Sequence, residues 1–203
     1  VKTLGIPLPK KEILFTELLQ RAGYHTGIIG KLHLVPKKIR RAYLPHPEFG
    51  FNTMLLAEGE YNSTSLGHFK NSELTMNCPD DYNGWLKEKA PDLLYKLIQE
   101  PYDYKPLINP CPEEFHQATW VRKESVKFIN RYGQQSQPFY LNISFFDPHP
   151  PFDPPKEFSE MYDWKNMKTP VGLENYHEDR PEYPYTKIIQ EGLTKRGIKE
   201  EEW

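Results

Sequence analysis

Between residues 12 and 22 apolar side chains recur at helical spacing, with Ile13, Leu14, Leu18, Leu19 and Ala22 in the series. Gly23 follows where a left-handed C-terminal cap is wanted. The pattern then changes: Thr26 to Leu34 is a short apolar run with β-branched residues, and it predicts a buried strand. A helix leading directly into it suits a parallel strand. Phe51 to Ala57 predicts a second strand, after the loop Pro45–Gly50. Residues 58–110 are weakly patterned and rich in Pro, Asn, Tyr and Asp, with a short helix predicted over 91–99. So long a stretch without periodicity is unusual inside a compact domain and predicts a substrate-facing insertion, where specificity would be sought.

A second helix opens at Pro112, with Glu113 and Glu114 in a first turn that favours negative charge. Phe115, Ala118, Val121, Ser125, Phe128, Ile129 and Tyr132 trace its inner face, and Gly133 closes it. From Phe139 to Phe146 the period is two: Phe139, Leu141, Ile143 and Phe145 share one face, and Tyr140, Asn142, Ser144 and Phe146 the other. Bulk on both faces predicts a central strand covered on both sides. Beyond it come a short helix over about 156–163 and a loop-rich tail to residue 203. Helix–strand, helix–strand order predicts an α/β layered fold with a largely parallel or mixed central sheet. In such folds, sites gather at the carboxyl ends of the strands.

Composition changes this picture little. Apolar residues are 37% of 203, below the usual share, while 20 prolines and 14% aromatics describe a loop-rich chain whose rings carry much of the burial. A net charge of −2 gives no electrostatic case for nucleic acid or an anionic membrane. No apolar run approaches the roughly 20 residues that span a bilayer. No signal-peptide pattern opens the chain, and residue 1 is Val, so a native start upstream is expected; localisation stays open between cytoplasmic, periplasmic and secreted. Cys78 and Cys111, each followed by Pro, lack metal-knuckle spacing; they pair only if their loops meet, and two unpaired thiols are the favoured reading.

Two places could carry chemistry. In Gly30-Lys31-Leu32-His33-Leu34, an extended backbone would project Lys31 and His33 from one face. Such a pair makes an anion site or polarises an oxygen leaving group; a strand end surfacing into solvent looks the same in sequence. His149 stands between prolines in the run Asp147-Pro148-His149-Pro150-Pro151. Proline fixes the backbone, so the loop can present one side chain, or it can be a structural turn with a local hydrogen bond. Asp147 and Asp153 nearby could orient the ring or serve the turn.

The segment Ile13 to Leu34, with its core from Leu18, resembles the sulfatase signature L-x-x-A-G-Y-x-T-x-x-x-G-K-W-H-L-G, with Leu32 in place of Trp and the following Val35 in place of Gly. Pro47 to Asn52 resembles the family's R-G-F-D strand entry. His116-Gln117-Ala118-Thr119-Trp120 with Phe128-Ile129 is similar to its next helix, and Pro138 to Pro155 to its P-F-F-L-x-x-S-F-x-D-P-H-x-P-F-x-P-P block. The blocks keep the family's order over roughly residues 5–165. The resemblance implies an alkaline-phosphatase-like fold and hydrolysis of sulfate monoesters by a formylglycine beside a bound calcium. By motif, Lys31 would contact that nucleophile and the sulfate oxygens. His33 would take a proton from the nucleophile. His149 would contact sulfate and help protonate the leaving oxygen.

The family's C/S-x-P-S/A-R nucleophile motif has no match here, and Asp80-Asp81 lies in the wrong context for a metal pair. The sequence therefore reads as an internal fragment, a partial catalytic domain over 1–203. Calcium and formylglycine are expected in the full-length parent, with neither bound by this chain alone. The implied substrate is a small-molecule or glycan sulfate ester. The alternatives are a phosphonate or phosphate monoester hydrolase of the same superfamily, or a non-catalytic binding module. Exposed strand edges predict self-association of the isolated chain.

Overall fold

A computed structural model describes residues 8–9, 11–34, 48–58, 80–99, 111–149, 154–163 and 166–168. The chain forms two compact units, Val1–Met161 and Tyr162–Trp203, and every helix and strand below lies in the first.

Helix α1 (Phe15–Arg21) leads into strand β1 (His25–Gly30), and β2 is Thr53–Leu56. Helices α2 (Asp81–Lys89) and α3 (Pro91–Gln99) follow. A 3-10 turn at Glu113–Phe115 precedes α4 (Gln117–Tyr132), then come β3 (Phe139–Ser144) and the single turn α5 (Lys156–Ser159). The strands form a sheet in the order β2-β1-β3, both pairings parallel, as an α/β layered fold requires. No helix among the described residues is long and apolar enough to cross a membrane.

β1 is the inner strand because it can be buried on both sides. Ile28 and Ile29 have no exposed surface. Ile29 faces a core of Tyr82, Leu86, Leu94, Leu97, Trp120, Val121 and Phe128; Ile28 packs on the opposite side with Phe51 and Leu56. Gly27 shares the Ile29 face, and a Cβ there would come within 2.5 Å of Phe128, so α4 lies hard against the sheet. Register between β1 and β2 is fixed by a buried polar knot. Thr26 Oγ1 donates to the Gly50 carbonyl at 2.7 Å, and Thr26 N–H donates to Asn52 Oδ1 at 2.9 Å.

Several expectations change. The strand predicted over 26–34 stops at Gly30, whose φ is +110. The strand predicted over 139–146 is outermost among the described strands, with Ile143 41% exposed; β1 takes the central place. The weakly patterned region is partly core, since Tyr82 and Leu86 of α2 and Leu94 and Leu97 of α3 are buried. Residues 59–79 and 100–110, which include Cys78, lie outside the described residues. Cys111 is buried in the main core.

Candidate active site

Parallel pairing brings the carboxyl ends of β1 and β3 together. Lys31 N–H continues the ladder to the Ser144 carbonyl at 2.9 Å. Beyond Ser144 the chain turns, and His149 N–H closes back on the Phe146 carbonyl at 3.1 Å. Two candidate residues thereby come to one ring, that of Phe146. Lys31 Nζ sits 4.4 Å from its centre, and the His149 ring centre lies 4.7 Å from it. The two separations bound the distance between Lys31 Nζ and the His149 ring by their sum. A cation over an aromatic face is worth about 0.5–2 kcal/mol, enough to bias where a flexible lysine rests. The half-buried Lys31 and exposed His149 thus share a contact with Phe146 although 118 positions separate them in the chain.

His33 is held differently from the expectation. With β1 ended at Gly30 and φ of +53 at His33, Lys31 and His33 are not same-face neighbours of one extended strand. Glu58, just beyond β2, shapes this turn: its Oε1 accepts from His33 N–H at 3.2 Å and Leu32 N–H at 3.4 Å. Glu58 is only 6% exposed, and a buried carboxylate is a strong acceptor for backbone donors.

Two further acidic groups pin the same end of β2. Asp80 caps α2 by accepting from Asn83 N–H at 2.8 Å through Oδ1, while its Oδ2 accepts from Glu58 N–H at 3.0 Å. Asp81 Oδ2 accepts from Leu56 N–H at 2.7 Å. Burial pushes the Asp80 carboxyl up to about 6, with the charges of Glu58 and Asp81 adding to the rise and the two N–H bonds opposing it. The carboxylates are turned towards backbone donors, and no three His, Cys, Asp or Glu side chains among the described residues could hold a metal ion. The calcium implied by resemblance does not fit these residues. Nor does formylglycine, whose precursor motif the sequence lacks.

His116 went unremarked in sequence beyond its place in a motif. It is the N-cap of α4, its Nδ1 accepting from Ala118 N–H at 3.3 Å. Burial lowers its pKa below the usual 6.5, while Asp147 and Glu113 pull upward. His116 lines a cavity of about 570 Å³ together with Asp147 and His149. Asp153, the other acid beside the His149 turn, lies outside the described residues.

A sulfatase family model matches residues 1–183. An arylsulfatase of Clostridium perfringens (strain 13 / Type A) is 32% identical over 160 residues, covering 74% of this chain and 30% of the relative. The multifunctional alkaline phosphatase superfamily protein PehA of Trinickia caryophylli is 22% identical over 196 residues, 90% of this chain and 34% of that protein. Among solved structures, the phosphonate monoester hydrolase of Agrobacterium radiobacter aligns with a TM-score of 0.49 at 18% identity, over 80% of this chain and 31% of that one. The chain spans about a third of the length of the curated relatives it matches.

Proposed function

The chain belongs to the sulfatase family of the alkaline phosphatase superfamily, and from that premise we propose that it supplies part of the ester site of a sulfuric ester hydrolase acting on a sulfate monoester of a sugar or aryl alcohol. The observation that carries this reading is that Lys31 and His149 both pack on the Phe146 ring at the carboxyl ends of β1 and β3. The Lys31 ammonium is a fixed positive charge for the sulfate oxygens. The His149 imidazole donates a proton to the bridging oxygen as the alcohol departs. His33, whose backbone Glu58 holds, would serve in this reading as a base for the attacking group.

The test is a substrate panel on the full-length protein: an aryl sulfate, an aryl phosphate and an aryl phosphonate. The reading expects the highest kcat/KM on the sulfate. A protein that cleaves only phosphorus esters is instead a phosphonate or phosphate hydrolase of the superfamily, and one that cleaves none but binds sulfate esters is a non-catalytic module.

A further inference from the structure

The acidic pair Asp80-Asp81, which opens α2, reaches the end of β2 with both carboxylates. Asp81 Oδ2 accepts from Leu56 N–H at 2.7 Å, and Asp80 Oδ2 from Glu58 N–H at 3.0 Å. Resting on the reading above in which His33 is a base, we propose that Asp80 is a positioning residue for the reaction. It fixes the main chain of Glu58, and through the Glu58 side chain it fixes the turn that carries His33.

The path from α2 to the site is continuous. Ala57 N–H still donates to the Gly30 carbonyl, at 3.0 Å, in the manner of the β1–β2 ladder. The next donor, Glu58 N–H, goes to Asp80 instead, so the start of α2 sets where Glu58 stands. Asp80 is itself held by the first turn of α2, where its Oδ1 accepts from Asn83 N–H at 2.8 Å. Tyr82 and Leu86 anchor that helix in the core beside Ile29.

At the far end of the path the bonds are long. His33 N–H and Leu32 N–H reach Glu58 Oε1 at 3.2 and 3.4 Å, whereas N–H···O bonds usually fall between about 2.7 and 3.2 Å. A retreat of Glu58 by a few tenths of an ångström loses them. His33 has φ of +53, which a residue with a Cβ keeps only where its surroundings impose it. Its side chain is exposed and lies beyond the end of β1, so the backbone of the turn governs where the ring stands.

A carboxylate accepts at two oxygens, and Asp80 uses both. The two roles can therefore be separated. Asp80→Ser keeps a capping oxygen for Asn83 N–H and has none for Glu58 N–H. Asp80→Asn also caps through Oδ1, and its NH2 then faces Glu58 N–H, donor against donor.

Both variants are made in the full-length protein. Each is expected to lower kcat on an aryl sulfate about tenfold with KM nearly unchanged, because a misplaced base is felt in the transition state. The His33 imidazole signals in NMR spectra, assigned by their loss in His33→Gln, are expected to shift in the same variants. Gly23→Ala, at the opposite end of β1 with nothing within 4 Å of the new Cβ, controls for lost stability and leaves both readouts native. In a Glu58→Ala background, Asp80→Ser is expected to have little further effect on kcat. His33 signals unmoved in a folded Asp80 variant, or a loss of kcat undiminished on top of Glu58→Ala, overturns the positioning role while the base reading stands. If His33→Gln itself keeps the native rate, the base reading fails, and Asp80's part in the reaction with it, even where the signals shift.

Discussion

Replacing Gly30 by Ala tests how tightly the two strand ends are joined at the site. Gly30 has φ of +110, a conformation an L side chain strongly disfavours, at about 1–3 kcal/mol. An added Cβ would lie 1.8 Å from the Ser144 carbonyl oxygen and 2.7 Å from its carbon. Close carbon–oxygen contacts settle near 3.3 Å, so the end of β3 must retreat by roughly 1.5 Å. The obstacle is backbone, and no rotamer change relieves it. Retreat breaks the bond from Lys31 N–H to the same oxygen, a further loss of ~1 kcal/mol. The expected total is about 2–4 kcal/mol, a large share of a typical 5–15 kcal/mol stability. Gly23→Ala is the matched control, since Gly23 has φ of +89 but nothing within 4 Å of the new Cβ; its cost should be the conformational part alone, ~1–2 kcal/mol. Urea unfolding of both variants in the full-length protein gives the comparison. Equal destabilisation by the two substitutions would refute the reasoning, because it would mean that the strand ends yield freely.

Asp80 predicts an unusual pH dependence. Its carboxyl is raised from 3.8 to about 6 in the folded chain, so the folded state keeps a proton the unfolded chain has released. This contribution to stability is therefore lost as pH rises from about 4 to 6, by at most ~3 kcal/mol. Urea midpoints of native protein and Asp80→Asn across that window should diverge with this sign, and a difference that grows the other way contradicts it. Glu58→Ala strips the acceptor from Leu32 and His33 N–H; it should cost about 1–3 kcal/mol and lower kcat, while Glu58→Gln, which keeps an acceptor, restores most of both. The isolated 203-residue chain, with Ile143 of β3 and Phe145 just beyond it exposed, should self-associate; light scattering that reports a monomer at tens of µM overturns this.

The elements legible in sequence are those whose pattern is local. Ile28 and Ile29 announce a buried strand, the Phe115-to-Tyr132 series a helix, and the alternation from Phe139 a second strand. Helix α2 escaped notice because Gly84 and four charged residues interrupt its pattern, leaving Tyr82 and Leu86 as its only buried hydrophobics. Asp80 before it was the available signal, an N-cap three residues from the amide it receives. The strand order was illegible, since bulk on both faces of 139–146 does not say which strand is inner. The site was half legible: motif order brought Lys31 and His149 into one account, but the left-handed backbone at His33 depends on Glu58, 25 positions away. His116 was missed as a cap because histidine is not a favoured residue there.

The central claim is that Lys31 and His149 act on one ester. The direct measurement is kcat/KM on an aryl sulfate for the full-length protein, for Lys31→Ala, for His149→Ala and for the double variant. Groups that serve the same transition state are strongly non-additive. Each single substitution should lower kcat/KM by about 10²-fold or more, and the double variant should fall far short of the product of the two. Single variants within twofold of the native protein, or losses that simply multiply, would contradict it.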